Sequence, residues 1–510
     1  MSKRLTVIIL IILLVGVFYR LAVTANGNFL FNMDNARDMV DVREMVVLHK
    51  LRLTGPTSAI DGFYNGPAWY YLLAIPFMLS GGDPYASILM EIVLWAIGGF
   101  FLLKLVSRWG SWLVLPIGAV WVASNYILLT NAYAFFPNPV TLLSPVLVYF
   151  LVKYLKEGKA IDIVLTWVLA GLFFNFEMNF GVFTPLIVFV SVAFTKNIKL
   201  LKQKWFWVGL VAFVLTLLPQ VLFDLKHQFI MSKAVFQYLS QNPGGELNIT
   251  ARFQTISTSF YNTFLPTLMN HRIFTNIILL LAALLVYSFI KESKKDQTAT
   301  VCLIFIAIPF LGYLILPVTV NPWHLGGEMA VSLILIAYLL KKLMEGVIFS
   351  KIIALTLSVS IIVFGLLNIY NFFINDFNKP SLDASLFKNE IAVIDYVYQY
   401  AAGQNFKAYV FMPSIYDYPY QYLFWWHGQK KYGYIPGEYA YAPNKPTYIP
   451  SQNKFQGRKD NFSGLVFLIK EPNRGHNWKS GWEGDFIKYN WETIDKQMIG
   501  SIEVEIKREL

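Results

Sequence analysis

Apolar residues fall in long runs separated by short polar breaks. Eleven of these runs predict bilayer-spanning helices: Leu5 to Ala25, then segments at about 86–105, 112–130, 139–156, 162–178, 181–195, 205–223, 273–291, 299–318, 325–341 and 351–373. The break between the fifth and sixth, with Asn175, Glu177, Asn179 and Gly181, reads as a tight turn at the membrane surface. Another apolar stretch, Pro67 to Ser80, is short for a span, contains Pro76 and carries Trp69, Tyr70 and Tyr71, which suit an interface. After about residue 376 the pattern changes. Ser385 to Ala402 has helical spacing, while Phe406 to Met412, Leu465 to Ile469 and Ile499 to Ile506 predict strands. The expected organisation is therefore a transmembrane domain over 1–375 and a mixed α/β domain over 376–510. Tyr416 to Tyr439, dense in Tyr, Trp, Gly and Pro, is either a loop-rich packing surface or a platform for stacking on sugar rings.

Composition fits a polytopic membrane protein: 56% of the 510 residues are apolar, 17% aromatic and 14% charged. The formal net charge of +11 does not point to nucleic acid, because Lys and Arg gather in short clusters between apolar runs. With Pro67 to Ser80 kept at the interface, Lys3/Arg4, Lys104/Arg108, Lys153/Lys156/Lys159, Lys196 to Lys204, Lys291/Lys294/Lys295 and Lys341/Lys342/Lys351 all fall on one side. That side is the cytoplasm by the positive-inside rule, and a crossing there would put every cluster after the first on the wrong face. The start of the chain also fits a signal peptide with Val23-Thr24-Ala25 as cleavage site, but its apolar run exceeds the usual ~7–15 residues. The outer face is then expected to hold long loops at 26–85 and 224–272, shorter turns at Phe136 to Pro139, Asn175 to Asn179 and Asn321 to His324, and the C-terminal domain. Cys302, the single cysteine, excludes an intramolecular disulfide framework and a cysteine-based metal site.

Four polar groups on that face are candidates for chemistry. Asp34-Asn35-Ala36-Arg37-Asp38 lies just beyond the first span. A carboxylate there can take a proton from a hydroxyl, with Arg37 orienting it or contacting a phosphate, and the bland alternative is a solvated helix start with Asp34 as cap and Arg37 and Asp38 as a surface pair. Glu177, at a helix end, is either a hydrogen-bonded turn or a site residue. Asp224, Lys226 and His227 are either snorkelling charges or ligands of a lipid-linked phosphate at headgroup depth. His324, ahead of Glu328, belongs either to an interfacial aromatic belt or to a phosphate or sugar site. Together they place acids and cations on one face, as transfer from an amphiphilic phosphate donor to a water-borne acceptor requires. No metal-ligand spacing or phosphate-binding glycine loop is present, and Asn248-Ile249-Thr250 and Asn461-Phe462-Ser463 match a glycosylation pattern only weakly.

The first-loop Asp-Asn-Ala-Arg-Asp, Gly66-Pro67-Ala68-Trp69-Tyr70-Tyr71-Leu72, Pro137-Asn138-Pro139, Phe176-Glu177, Phe223 to His227 and Pro322-Trp323-His324-Leu325 resemble bacterial polytopic glycosyltransferases of the GT-C superfamily. The likeness is to proteins similar to dolichyl-phosphate-mannose protein mannosyltransferases and to the aminoarabinose transferase of lipid A, over roughly residues 1–375. It implies a GT-C fold, a polyprenyl-phosphate sugar donor, and Asp34 as the base that activates an acceptor hydroxyl for attack with inversion. The acceptor is protein, lipid or glycan, and the enzyme sits in a bacterial-type cell membrane with its active face outward. Arg37, Lys226 and His227 are then expected at the donor phosphate, with Asp38, Asp224, Glu177 and His324 in supporting roles. The sequence departs from the pattern at Asn35 and Asn138, where the resemblance expects acids. Those departures leave open both a divalent metal and a second carboxylate, for which Glu177 is the candidate. The rival class is a lipid or oligosaccharide transporter or flippase, which would place ionisable groups nearer the bilayer midplane.

Overall fold

The computed structural model describes the chain except residues 1, 59, 196–197, 242–247, 294–295, 317, 414–415, 444–447, 458–461, 474 and 476, and the side chains of 285–295. Lys196, Lys294 and Lys295 of the basic clusters and Asn461 of one glycosylation pattern lie outside the described residues, as does the side chain of Lys291.

In chain order the first half has α1 (Lys3–Val23), α2 (Met33–Val47), α3 (Ala68–Ser80), α4 (Tyr85–Val106), α5 (Val114–Ala123), α6 (Asn125–Ala132), α7 (Asn138–Glu157), α8 (Ala160–Phe176), α9 (Met178–Gly181), α10 (Thr184–Phe194), α11 (Lys204–Lys226), α12 (Ile230–Ser240) and α13 (Ile249–Thr267). Then come α14 (Arg272–Ser293), α15 (Gln297–Ile315), α16 (Gly326–Glu345), α17 (Ile348–Asn375), α18 (Phe387–Ala401), α19 (Tyr418–His427) and α20 (Trp478–Gly484). The strands are β1 (Asn405–Phe411), β2 (Glu438–Ala440), β3 (Phe462–Lys470), β4 (Trp491–Ile499) and β5 (Ile502–Glu509).

A helix stands at every predicted span, but length separates them. Among the described residues seven helices are long and apolar enough to cross a membrane, or up to nine if two bent pairs each count as one span. The first pair, α5 and α6, bends by 49° at Ser124, whose hydroxyl accepts from Ile127 N and starts a new helix. The second, α13 and α14, bends by 119°, with Met269 and Asn270 between them at positive φ. The predicted fifth and sixth spans are shorter: α8 has 17 residues and α10 has 11. At ~1.5 Å per residue neither reaches ~30 Å unaided. Helix α3, at 13 residues, is likewise short.

The chain divides into two compact units. Unit 1, residues 1–22, 52–72 and 89–377, is the helical membrane part. At its centre α7 and α16 are almost wholly buried, while α1, α11 and α17 keep most of their apolar surface outward. Small residues allow that central contact. A Cβ on Gly326 would collide with the Thr141 hydroxyl, and one on Gly327 would crowd Ser144. Arg20, buried in α1, is satisfied by Asn131 Oδ1 at 2.6 Å, by the carbonyls of Trp121 and Val122 and by the Trp95 face at 3.7 Å.

Unit 2, residues 23–51, 73–88 and 378–510, holds a five-stranded mixed sheet of order β2-β1-β3-β5-β4. Strand β1 runs parallel to β2 and β3, and β5 is antiparallel to β3 and β4. Tyr409, Phe411, Val466, Leu468, Trp482 and Phe486 form a core on it. The helix predicted at Ser385 to Ala402 is α18, and the first two predicted strands are β1 and β3. The third prediction, Ile499 to Ile506, is corrected: it spans a hairpin, with Gly500 at φ +61° between the paired Ile499 and Ile502. Tyr416 to Tyr439 is not loop-rich throughout, since α19 occupies its middle.

Candidate functional site

The Asp34–Asp38 stretch opens α2, which is built into unit 2. Two backbone hydrogen bonds, Phe31 N to Ser385 O at 2.8 Å and Phe387 N to Phe29 O at 3.0 Å, tie the approach to α2 to the start of α18. Phe29 stacks on Phe387 at 4.7 Å. The helix start is capped by Asn32, which accepts from Asp34 N at 3.0 Å, so the cap role considered for Asp34 belongs to Asn32. Asp34 thus sits in the first turn, where a carboxylate is favoured by the helix dipole. Further along, buried Arg43 donates to Gln421 O at 3.4 Å and covers the Phe455 ring at 3.8 Å. Glu44 accepts from Ser451 N at 3.3 Å. These bonds join α2 to α19 and the 451–455 segment. Neither Arg43 nor Glu44 was singled out from the sequence, because a charged residue on a short polar helix reads as solvated until its partners are known.

Within α2 the three predicted charges come together. Arg37 Nη1 lies 3.2 Å from Asp34 Oδ1, while its Nε and Nη2 lie 3.1 and 3.0 Å from Asp38 Oδ1. The Asp38 side chain is fully buried, whereas that of Asp34 keeps 34% of its surface. Buried Asp38 therefore fixes the guanidinium, which in turn holds the accessible carboxylate. Asn35, where the resemblance expects an acid, donates from its amide to Leu30 O at 2.7 Å and acts as a backbone brace.

The other predicted residues lie in unit 1. Glu177 ends α8 and caps α9: its Oε1 accepts from Asn179 N at 3.1 Å and from Asn179 Nδ2 at 2.9 Å. Asn179 Nδ2 is also 3.2 Å from His324 Nε2, and Asn321 N is 3.2 Å from His324 Nδ1. Tyr313 donates to Asn179 O at 3.1 Å. Glu177 and His324 are thus brought together through Asn179, both buried, at two breaks in the helices. Asp224 accepts from Met231 N at 2.7 Å and from the Ser232 hydroxyl, fastening α12 to the end of α11. His227 stacks on Phe223 at 4.0 Å and donates from Nδ1 to the Phe223 carbonyl at 2.8 Å. Lys226 is exposed and makes no hydrogen bond or ion pair among the described residues.

Asn138, the second departure from the expected acids, donates to Tyr133 O at 2.7 Å and Thr130 O at 3.0 Å, closing the turn into α7. Its amide also lies 3.4 Å from Glu91 Oε1, a buried acid on α4 that the sequence reading passed over inside an apolar run. Glu328, also buried, has both carboxylate oxygens without a hydrogen-bond partner among the described residues. Among those residues no three His, Cys, Asp or Glu side chains converge to hold a metal ion.

No family model and no curated protein matches the chain. Two crystal structures resemble it from end to end. ArnT from Cupriavidus metallidurans bound to undecaprenyl phosphate has a TM-score of 0.59 at 12% identity, over 99% of this chain and 98% of that one. ArnT from Cupriavidus metallidurans in the apo state has a TM-score of 0.61 at 11% identity, over 98% and 97%. The chain has the GT-C fold, with apolar helices followed by a small sheet unit, and is a multi-pass membrane protein.

Proposed function

We propose that the chain is an inverting glycosyltransferase that moves a sugar from a polyprenyl-phosphate donor to an acceptor hydroxyl on the outer face of the membrane. The observation that carries this reading is the accessible Asp34 carboxylate, clamped through Arg37 to buried Asp38, just after the first span of a GT-C fold. The fold is shared with a protein crystallised on undecaprenyl phosphate, which supports a lipid phosphate as the leaving group. In the proposed step Asp34 accepts the proton of the acceptor hydroxyl and the oxygen attacks the anomeric carbon from the face opposite the phosphate. The C1–O bond to phosphate breaks, and its electron pair leaves with the polyprenyl phosphate. That leaving group is already a stable anion, so the chemistry calls for cations at the phosphate rather than a general acid. Exposed Lys226 and the neighbouring His227, both in unit 1, are the residues whose chemistry suits that task. Arg37, engaged by two carboxylates, orients Asp34.

The test is transfer from a polyprenyl-phosphate sugar in membranes holding wild type or Asp34→Asn at matched expression. The expected loss is roughly 10²–10⁴-fold. Full activity in the variant would remove Asp34 from the mechanism. Mass measurement of lipid extracted with the purified protein identifies the donor.

A further inference from the structure

Three tyrosines in unit 2 form a ring cluster at the start of α19. Tyr416 and Tyr448 have centroids 4.9 Å apart, Tyr418 and Tyr448 5.3 Å, and Tyr416 and Tyr418 5.8 Å. Tyr416 keeps 43% of its surface open to solvent. Between Tyr416 and Tyr418 in sequence lies Asp417, which is buried. Its Oδ2 accepts from Gln421 Nε2 at 2.9 Å, but its Oδ1 has no hydrogen-bond partner among the described residues. The buried Tyr448 hydroxyl is unpartnered in the same sense. A buried acceptor and a buried hydroxyl left unmade are each costly, and a ligand supplying hydroxyl groups removes both costs. The cluster is close to the Asp34–Asp38 helix within the same unit, because α19, which carries Tyr418, packs on α2, with Arg43 bonded to Gln421 O.

The chemistry of the occupant follows. A pyranose presents C–H groups on one face, which pack on an aromatic ring, and hydroxyls around its rim, which donate to a carboxylate and accept from a phenol. An acyl chain would cover the rings and leave Asp417 Oδ1 and the Tyr448 hydroxyl unsatisfied. We propose that Tyr416, Tyr418 and Tyr448, together with Asp417, form a carbohydrate subsite that seats a sugar of the acceptor beside the Asp34 helix. The acceptor is on this view a glycan or glycolipid. As an acceptor site this rests on the transferase reading, whereas sugar binding itself does not.

The experiment uses the full chain in nanodiscs free of sugar detergents, without donor. Saturation-transfer NMR is run with the methyl pyranosides of glucose, mannose, galactose and N-acetylglucosamine as probes. At least one is expected to bind, with affinity lowered fivefold or more in Tyr416→Ala, lowered about threefold in Tyr448→Phe, which keeps the ring, and retained in Tyr416→Trp. In the transfer assay Tyr416→Ala is expected to raise KM for the acceptor with kcat at saturation unchanged. Absence of binding by all four probes, or unchanged affinity in both Tyr416→Ala and Tyr448→Phe, overturns the subsite. Full transfer by Asp34→Asn alongside intact pyranoside binding would instead sink the transferase mechanism and leave the subsite standing.

Discussion

Asp34 and Glu177 each stand at a helix boundary that follows an apolar helix, and each bonds to a residue a few positions along. Their surroundings differ in what remains for a substrate. Asp34 bonds to a guanidinium that a second, buried carboxylate already fixes, and a third of its side chain is open. Glu177 is buried and is engaged by the backbone and amide of Asn179, which passes the contact on to His324. The first arrangement presents an oriented base, and the second knots two helix breaks together. The sharpest way to break this comparison is to neutralise both acids. Asp34→Asn is expected to lose transfer by two to four orders of magnitude at unchanged melting temperature. Glu177→Ala is expected to lose less than tenfold in kcat but ~1–2 kcal/mol of stability, since it removes a helix cap and a hydrogen-bonded tie. Thermal melts and rates on the same preparations check both, and a catalytic collapse of Glu177→Ala without destabilisation would erase the distinction.

A second difference concerns how α2 is held. Arg43 is buried, and burial lowers its pKa, yet it donates to Gln421 O and lies over Phe455. Removing that side chain leaves a cavity and unmade contacts in the wall between α2 and α19. Arg43→Ala is expected to destabilise unit 2 by ~3 kcal/mol. Because Asp34 is positioned by the same helix, a loss of transfer in this variant should track the loss of folded protein in a protease-sensitivity assay. Arg37→Lys should behave otherwise: it keeps a cation beside buried Asp38 and so retains the fold, but loses roughly 10²-fold in kcat as the base loses the guanidinium that orients it.

The positions of the helices were readable because a spanning run needs ~20 apolar residues and few sequences satisfy that without crossing a membrane. Their breaks were less readable. The bend at Ser124 depends on a hydroxyl cap, and the short α8 and α10 depend on Glu177 capping a one-turn helix. The Asp34–Arg37–Asp38 triad was legible because its members are close in sequence. What closes around it was not. Arg43 and Gln421 are 378 positions apart and Glu44 and Ser451 are 407 apart, and no local periodicity encodes those pairings. The acid Glu91 was lost for a different reason: a single carboxylate within an apolar helix barely alters its pattern. The strand prediction across Gly500 failed because hydrophobic alternation continued through a two-residue turn.

The smallest expected effect bears on the α2 and α19 side of the comparison and is read by pH. Burial raises the Asp417 carboxyl from 3.8 to about 7, against the opposing hydrogen bond from Gln421. An acid whose folded pKa lies above its unfolded value binds a proton in the native state that the unfolded chain has released. Stability from this group is therefore fully present below about pH 3.8 and declines as pH rises to about 7, by ~1.4 kcal/mol per pH unit at most. Tyr418, Tyr439 and Tyr441 are the titratable groups coupled to it, and all three stay neutral across that window because burial raises their pKa values. Asp417→Asn keeps an oxygen for Gln421 Nε2 and removes the charge. Melting of the full chain between pH 4.5 and 8 should then fall with pH in wild type and fall less steeply in the variant, with the variant the more stable of the two at pH 8. Parallel curves for the two proteins would mean that Asp417 already has a compensating donor, and the empty acceptor assigned to the sugar subsite would go with it.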